Sequence, residues 1–128
     1  MIALGIGCRA GCEAAEIIAL AQTTLAALHL APAQVAVIAS LQDKPGLLAI
    51  TAAAAQLGLT LRLLPLAALQ AASPRALSRS EAALRAYGLP SLAETAALAA
   101  LGPDAALLAP RRLSPRASCA IALEKPSS

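Results

Sequence analysis

The sequence predicts an α/β fold: a single-domain three-layer sandwich with a mostly parallel central sheet and an antiparallel C-terminal hairpin. Three observations carry this. An apolar run at the N-terminus passes through closely spaced glycines into a helical pattern. A β-branched run, Val35 to Ala39, lies between two further helical patterns, and the last two strand-like segments flank a short basic connection. Strand and helix patterns that alternate along a chain indicate parallel strands with helices packed on both faces. The 128 residues suffice for one such unit with one core. The domain is expected over residues 1–123, with a polar, frayed tail over 124–128.

Each element follows from its local pattern. Ile2 to Ile6 reads as a buried strand that runs into Gly5, Gly7, Cys8, Arg9, Ala10 and Gly11 before the first helix. In that helix Ile18, Ala21, Leu25 and Leu28 recur at three- and four-residue spacing, and Glu13 and Glu16 fall in the opening turns, where negative charge suits the helix dipole. Pro32 closes the segment. Val35 to Ala39 is a strand covered on both faces. A polar connection from Ser40 to Lys44 follows, with Pro45 expected in the first turn of the next helix. Leu47, Ile50, Ala54 and Leu57 form the inward stripe of that helix, Gly58 stops it, and Leu59, Leu61 and Leu63 alternate with Thr60 and Arg62 in a third strand.

From Pro65 to Gly88 the pattern weakens into Ala-rich helical fragments broken at Ser73-Pro74, with Ser78 and Glu81 spaced as a capping box. A second capping box, Ser91 with Glu94, opens the helix that ends near Leu101 and Gly102. Ala105 to Ala109 and Ala117 to Leu123 are the last strands. Pro110, Arg111, Arg112, Ser114, Pro115 and Arg116 in their connection make it a basic hairpin.

Composition narrows the function classes. Apolar residues make up 59%, but Phe and Trp are absent and Tyr87 is the only aromatic, so the core must close-pack small aliphatic side chains. The longest uncharged stretch, Ile17 to Gln42, contains Pro32 and several polar residues, which argues against a membrane span. No basic region precedes the first apolar residues, so a secretory leader is not expected and the address is cytoplasmic. Cys8, Cys12 and Cys119 are expected as reduced thiols. Net charge is +3, and eight of the ten basic residues are Arg, whose forked geometry suits carboxylate or phosphate. A small anionic partner fits this balance. Nucleic acid does not, because single-strand readers need aromatic platforms and duplex readers a denser basic stripe.

Three places are candidates for chemistry. The glycine turn Gly5, Gly7, Gly11 brings backbone N–H groups and a helix start together, which attracts an anion. Its spacing is neither the dinucleotide nor the P-loop pattern, and the glycines also serve simply to permit a tight turn. Cys8, at a helix start beside Arg9, is a candidate nucleophile. No metal site or cofactor is expected, since the only histidine, His29, stands apart from the cysteines. The second place is the Ser40, Asp43, Lys44 connection, because ligands gather beyond the carboxyl ends of parallel strands. Capping explains Asp43 but not Lys44. The third is Arg111, Arg112 and Arg116. If the fourth strand runs parallel to the first two, Arg111 and Arg112 emerge on the same edge as Arg9 and Lys44, and the cations converge on one mouth. The alternative is a solvated basic loop. Glu94 is either a cap or a general acid or base.

Four ordered segments together resemble a known family. They are Gly5-Ile6-Gly7-Cys8-Arg9, Ala39-Ser40 with Asp43-Lys44-Pro45-Gly46-Leu47-Leu48, Gly88 through Glu94, and Leu107-Leu108-Ala109-Pro110-Arg111-Arg112. They are similar to the CobE/CbiG C-terminal family over nearly the whole chain. The resemblance implies a role in building the corrin ring of cobalamin, with a carboxylate-rich precorrin or corrinoid intermediate as the small-molecule partner. It carries a site over to Gly5, Gly7, Cys8 and Arg9, to Lys44, and to Ser91 and Glu94. Where relatives often have a lysine after the fourth strand this chain has Arg111, which keeps the charge but is no amine nucleophile.

By analogy with CbiG the reaction class would be opening of a ring δ-lactone. That enzyme has further N-terminal domains absent from these residues, so the expectation is a binding module using Arg9, Lys44, Arg111 and Arg112. The alternatives are a hydrolase in which Glu94 or Cys8 acts on water or ligand, and a non-catalytic partner subunit of another pathway enzyme.

Overall fold

Five of the six strands point the same way, and the reversed one is the last. In the computed structural model, which describes residues 1–124, the sheet order is β3-β2-β1-β6-β4, with β5 also paired to β6. The strands are β1 (Ile2–Cys8), β2 (Val35–Leu41), β3 (Thr60–Leu64), β4 (Ala105–Leu107), β5 (Arg112–Leu113) and β6 (Ala117–Glu124). β1, β2 and β3 pair in parallel, while β6 runs antiparallel to β1, β4 and β5. The sheet is therefore mixed, and β4 and β5 share the direction of β1. Of the expected tail, Glu124 instead extends β6 and donates its N–H to the Met1 carbonyl at 2.9 Å; residues 125–128 lie outside the described residues.

The helices are α1 (Ala14–Ala27), α2 (Leu47–Leu57), α3 (Leu66–Ala72), α4 (Glu81–Tyr87) and α5 (Leu92–Leu101). Strand alternation sends Ile2, Leu4 and Ile6 to one face, where they pack with Ile17, Leu20, Ile38 and Ile50 under α1 and α2. Ala3, Val37, Ala39 and Leu41 face the other way, against Leu69, Leu92, Ala96 and Ala100 of α3 and α5. These three layers are the expected sandwich, and the Ala-rich composition is spent on bringing α5 close to the sheet. Among the described residues no helix is long and apolar enough to cross a membrane.

Gly5 belongs to that close approach rather than to a turn. It lies inside β1, paired with Ala39 of β2 and Ala120 of β6. A Cβ built there would meet the Ala97 nitrogen at 2.7 Å and the Ala93 carbonyl carbon at 2.9 Å, so only glycine lets α5 lie this near. The expected glycine turn begins later, because β1 continues through Gly7, paired with Ser118, to Cys8.

Several boundaries move for local reasons. Pro45 precedes α2, whose N-cap is Gly46 at φ 88°. At that position a Cβ would drive into the Cys8 sulfur. The cap of α4 is Ser80, whose hydroxyl accepts from the Ala83 N–H at 3.2 Å; Ser78, the expected cap, points elsewhere. Ser91 does cap α5, accepting from the Glu94 N–H at 3.3 Å, but the Glu94 side chain does not return to close the box.

Candidate functional site

The carboxyl ends of β1 and β2, the β5–β6 hairpin and α4 surround a cavity of about 350 Å³. Two kinds of wall meet there. Ala82, Ala83, Ala86 and Tyr87 of α4, with Leu92 of α5, supply an apolar side. Arg9 and Lys44 at the strand ends and Arg111 and Arg116 of the hairpin supply cations. Among the described residues the only ion pair is Arg79 with Glu81 at 3.2 Å, and neither lines the cavity. No carboxylate is part of the lining, and the nearest, Glu16, approaches Arg116 from behind.

Lys44 and Cys8 form the inner end. Lys44 is only 7% exposed, and its Nζ donates to the Pro45 carbonyl at 2.6 Å and the Cys8 carbonyl at 2.9 Å, with the Cys8 sulfur at 3.5 Å. The Cys8 thiol in turn faces the Gly46 carbonyl at 3.5 Å. Two carbonyl dipoles hold the ammonium in place, but its charge meets no acid. Gly7 lies between Ser118 and Leu92, where a Cβ would meet the Ser118 hydroxyl at 2.7 Å.

The cationic loops are tied down from outside the cavity. The Arg9 N–H donates to the Arg116 carbonyl at 2.9 Å, and the Arg116 guanidinium donates to the Gly11 carbonyl at 3.1 Å. Glu16 of α1 accepts from the Ser114 hydroxyl and from the Arg116 N–H. The Ser114 hydroxyl, then the Arg116 N–H, hold the Glu16 carboxyl below its usual range. Burial and the neighbouring Cys8 push the Cys12 thiol up to about 11, and burial pushes Cys119 to about 12.

Comparison with known proteins places this arrangement. Residues 2–122 match the family model described as cobalamin synthesis G C-terminus. The chain belongs to that family. A relative from Sinorhizobium sp., Protein CobE, is 34% identical over 121 residues, covering 94% of this chain and 79% of the relative. The crystal structure of a CobE, a protein from the cobalamin (vitamin B12) biosynthetic pathway, matches with TM-score 0.90 and 37% identity, covering 95% of this chain and 89% of that one. The cobalamin biosynthesis protein chiG from Agrobacterium tumefaciens matches with TM-score 0.79 and 32% identity, covering 98% and 100%. This is a protein of cobalamin biosynthesis with the CobE fold.

Within this CobE/CbiG-type domain the residues singled out by sequence divide sharply. The structure brings Gly7, Cys8, Arg9, Lys44 and Arg111 to one cavity. Arg116, a member of the third candidate cluster, joins them. Arg112 does not: it lines a separate recess of about 50 Å³ with Thr24, Leu28 and Ile121, because neighbouring residues of β5 face opposite sides. Gly5 is the packing glycine described above. Gly11, at φ 84°, forms the turn before α1 and receives the Arg116 bond. Gly5 and Gly7 lie in the ladder and the Arg9 N–H is engaged by Arg116, so these three are not free amides of the turn.

Ser40 is fully buried and donates to the Ile6 carbonyl at 2.7 Å, stitching β2 to β1. Asp43 is exposed in a left-handed conformation at φ 58° and is not in the lining. Ser91 is consumed as the α5 cap. Glu94, the expected acid or base, is fully buried and away from the lining. It accepts from the N–H groups of Leu77 and Ser78, the Ser78 hydroxyl and the Arg111 N–H at 2.8–2.9 Å. All its acceptor positions are in use, which leaves none for a ligand.

Proposed function

We propose that the cavity binds a carboxylate-rich precorrin or corrinoid intermediate, and that the protein holds this ligand rather than breaking a bond in it. The observation that carries the proposal is the pairing of an apolar α4 wall with four cations, Arg9, Lys44, Arg111 and Arg116, in a lining that contains no acid. A flat apolar macrocycle edged by acetate and propionate groups matches both walls at once: the ring lies on Tyr87 and the alanines, and the acids meet the guanidinium groups. The cavity of about 350 Å³ seats one edge of such a ring and leaves the rest at the open mouth. Membership of a cobalamin-synthesis family supports the same ligand class, and a cytoplasmic location fits it.

Binding is favoured over hydrolysis by the lining itself. It includes no histidine or carboxylate to activate water, and Cys8 is its only nucleophilic thiol. The experiment is to mix the protein with precorrin intermediates and follow the tetrapyrrole absorption and its co-elution with protein. A spectral shift with intact ligand supports the proposal. Ligand conversion favours the hydrolase alternative, and the absence of both shift and co-elution contradicts ligand binding altogether.

A further inference from the structure

One buried carboxylate joins the two walls of the cavity. The segment before α4 hangs on Glu94 Oε1, which accepts from the Leu77 and Ser78 N–H groups at 2.9 and 2.8 Å. The hairpin hangs on Oε2, which accepts from the Arg111 N–H at 2.9 Å and the Ser78 hydroxyl at 2.8 Å. α4 has little else to hold it. None of its residues is buried; Tyr87 packs partly buried against the core, and the other ties are at its ends, where the Ser80 N–H donates to the Pro90 carbonyl at 2.7 Å and the C-terminal turn closes on Gly88. Glu94 itself cannot drift, since it sits in the first turn of α5, a helix pressed against the sheet centre.

We infer that Glu94 is the positioning residue of the ligand site: it fixes the apolar α4 wall and the Arg111 wall at one separation, without touching the ligand. This rests on the binding reading above. A carboxylate suits the task because it alone offers acceptors on both oxygens to four donors that belong to two different loops. An amide satisfies only one side. In Glu94→Gln the oxygen is needed by Leu77 and Ser78, so the NH₂ group faces the Arg111 N–H, donor against donor, and the hairpin is released while the α4 segment stays.

The test combines amide hydrogen exchange with titration of uroporphyrin III, a carboxylate-bearing porphyrin, into the parent, Glu94→Gln, Arg111→Ala and the double variant. The expected result is that Glu94→Gln speeds exchange at Arg111 by roughly tenfold or more while Leu77 and Ser78 stay protected. Its affinity for the porphyrin should fall about as far as that of Arg111→Ala, with no further loss in the double variant. Parent-like affinity in Glu94→Gln beside a weakened Arg111→Ala overturns the positioning role and leaves the binding reading standing. If the parent does not bind the porphyrin, the binding reading falls, and the positioning role falls with it. Should Glu94→Gln not fold, Glu94→Asp, which keeps both oxygens but draws them back by one methylene, tests the same role. It should speed exchange at Leu77, Ser78 and Arg111 together and weaken porphyrin binding, and parent-like exchange and affinity overturn the inference.

Discussion

The Lys44 ammonium donates to the carbonyl oxygen of Cys8 at 2.9 Å and lies 3.5 Å from the sulfur of the same residue. Through this contact the end of β1 is tied to the turn that leads from β2 into α2, and the deepest cation of the cavity is set beside its only thiol. Replacing Lys44 with Ala leaves two carbonyl groups without their donor, at a cost of about 1–3 kcal/mol. Urea unfolding of Lys44→Ala should show that loss, and porphyrin binding should fall with it. A variant as stable as the parent would show that the ammonium is not the tie between the two segments.

The cysteines should separate by burial. Cys8 lines the cavity, whereas Cys12 and Cys119 are buried, with thiols pushed up to about 11 and about 12. Alkylation of the native protein near neutral pH should modify Cys8 first, with Cys12 and Cys119 reacting only as the chain opens. Peptide mass mapping over time reads the order. A bound tetrapyrrole should slow Cys8 and leave the other two unchanged.

Gly5→Ala should be among the most damaging single-methyl additions in the chain. The new Cβ would press on the backbone of Ala93 and Ala97, which cannot rotate away, so α5 must shift off the sheet. The expected cost is about 1–3 kcal/mol or more, visible as a lower melting temperature. Ala at Gly58, where a Cβ meets nothing within 4 Å, is the control. It bears only the penalty of its left-handed backbone.

Stability should fall in acid partly through Glu16. Its folded carboxyl titrates below the usual carboxylate range, chiefly because of the Ser114 hydroxyl and then the Arg116 N–H. A depressed carboxyl contributes stability that is present above the unfolded value and is lost as pH falls from about 4.5 through the lower folded value. Glu16→Gln should therefore lie below the parent at neutral pH and converge with it in acid. Parallel curves across that range would count against the Ser114–Glu16 clasp.

Much of the fold was legible because its elements leave periodic traces. Val35 to Ala39 and the α1 stripe follow from burial on both faces and on one face respectively, and the structure agrees apart from end residues. α4 was faint for a physical reason: it buries no residue, so no apolar period marks it. The spacing of Gly5 and Gly7 points to a turn, because spacing cannot show that a helix distant in sequence presses on the strand. The role of Glu94 is hidden from sequence because its partners are mainly backbone N–H groups 16 and 17 residues away, which carry no side-chain signature. The convergence of Arg9, Lys44 and Arg111 was legible from strand direction alone. Exchanging Arg112 for Arg116 in that group required knowing which side of a two-residue strand faces the cavity.

The most direct test of a carboxylate-reading cavity is the affinity of the protein for uroporphyrin III compared with its methyl ester, across a salt series and in Arg9→Ala, Arg111→Ala and Arg116→Ala. The acid should bind saturably, the ester should not, and the acid's affinity should fall as salt rises and in each Arg variant. Equal binding of acid and ester, or Arg variants indistinguishable from the parent, would contradict it.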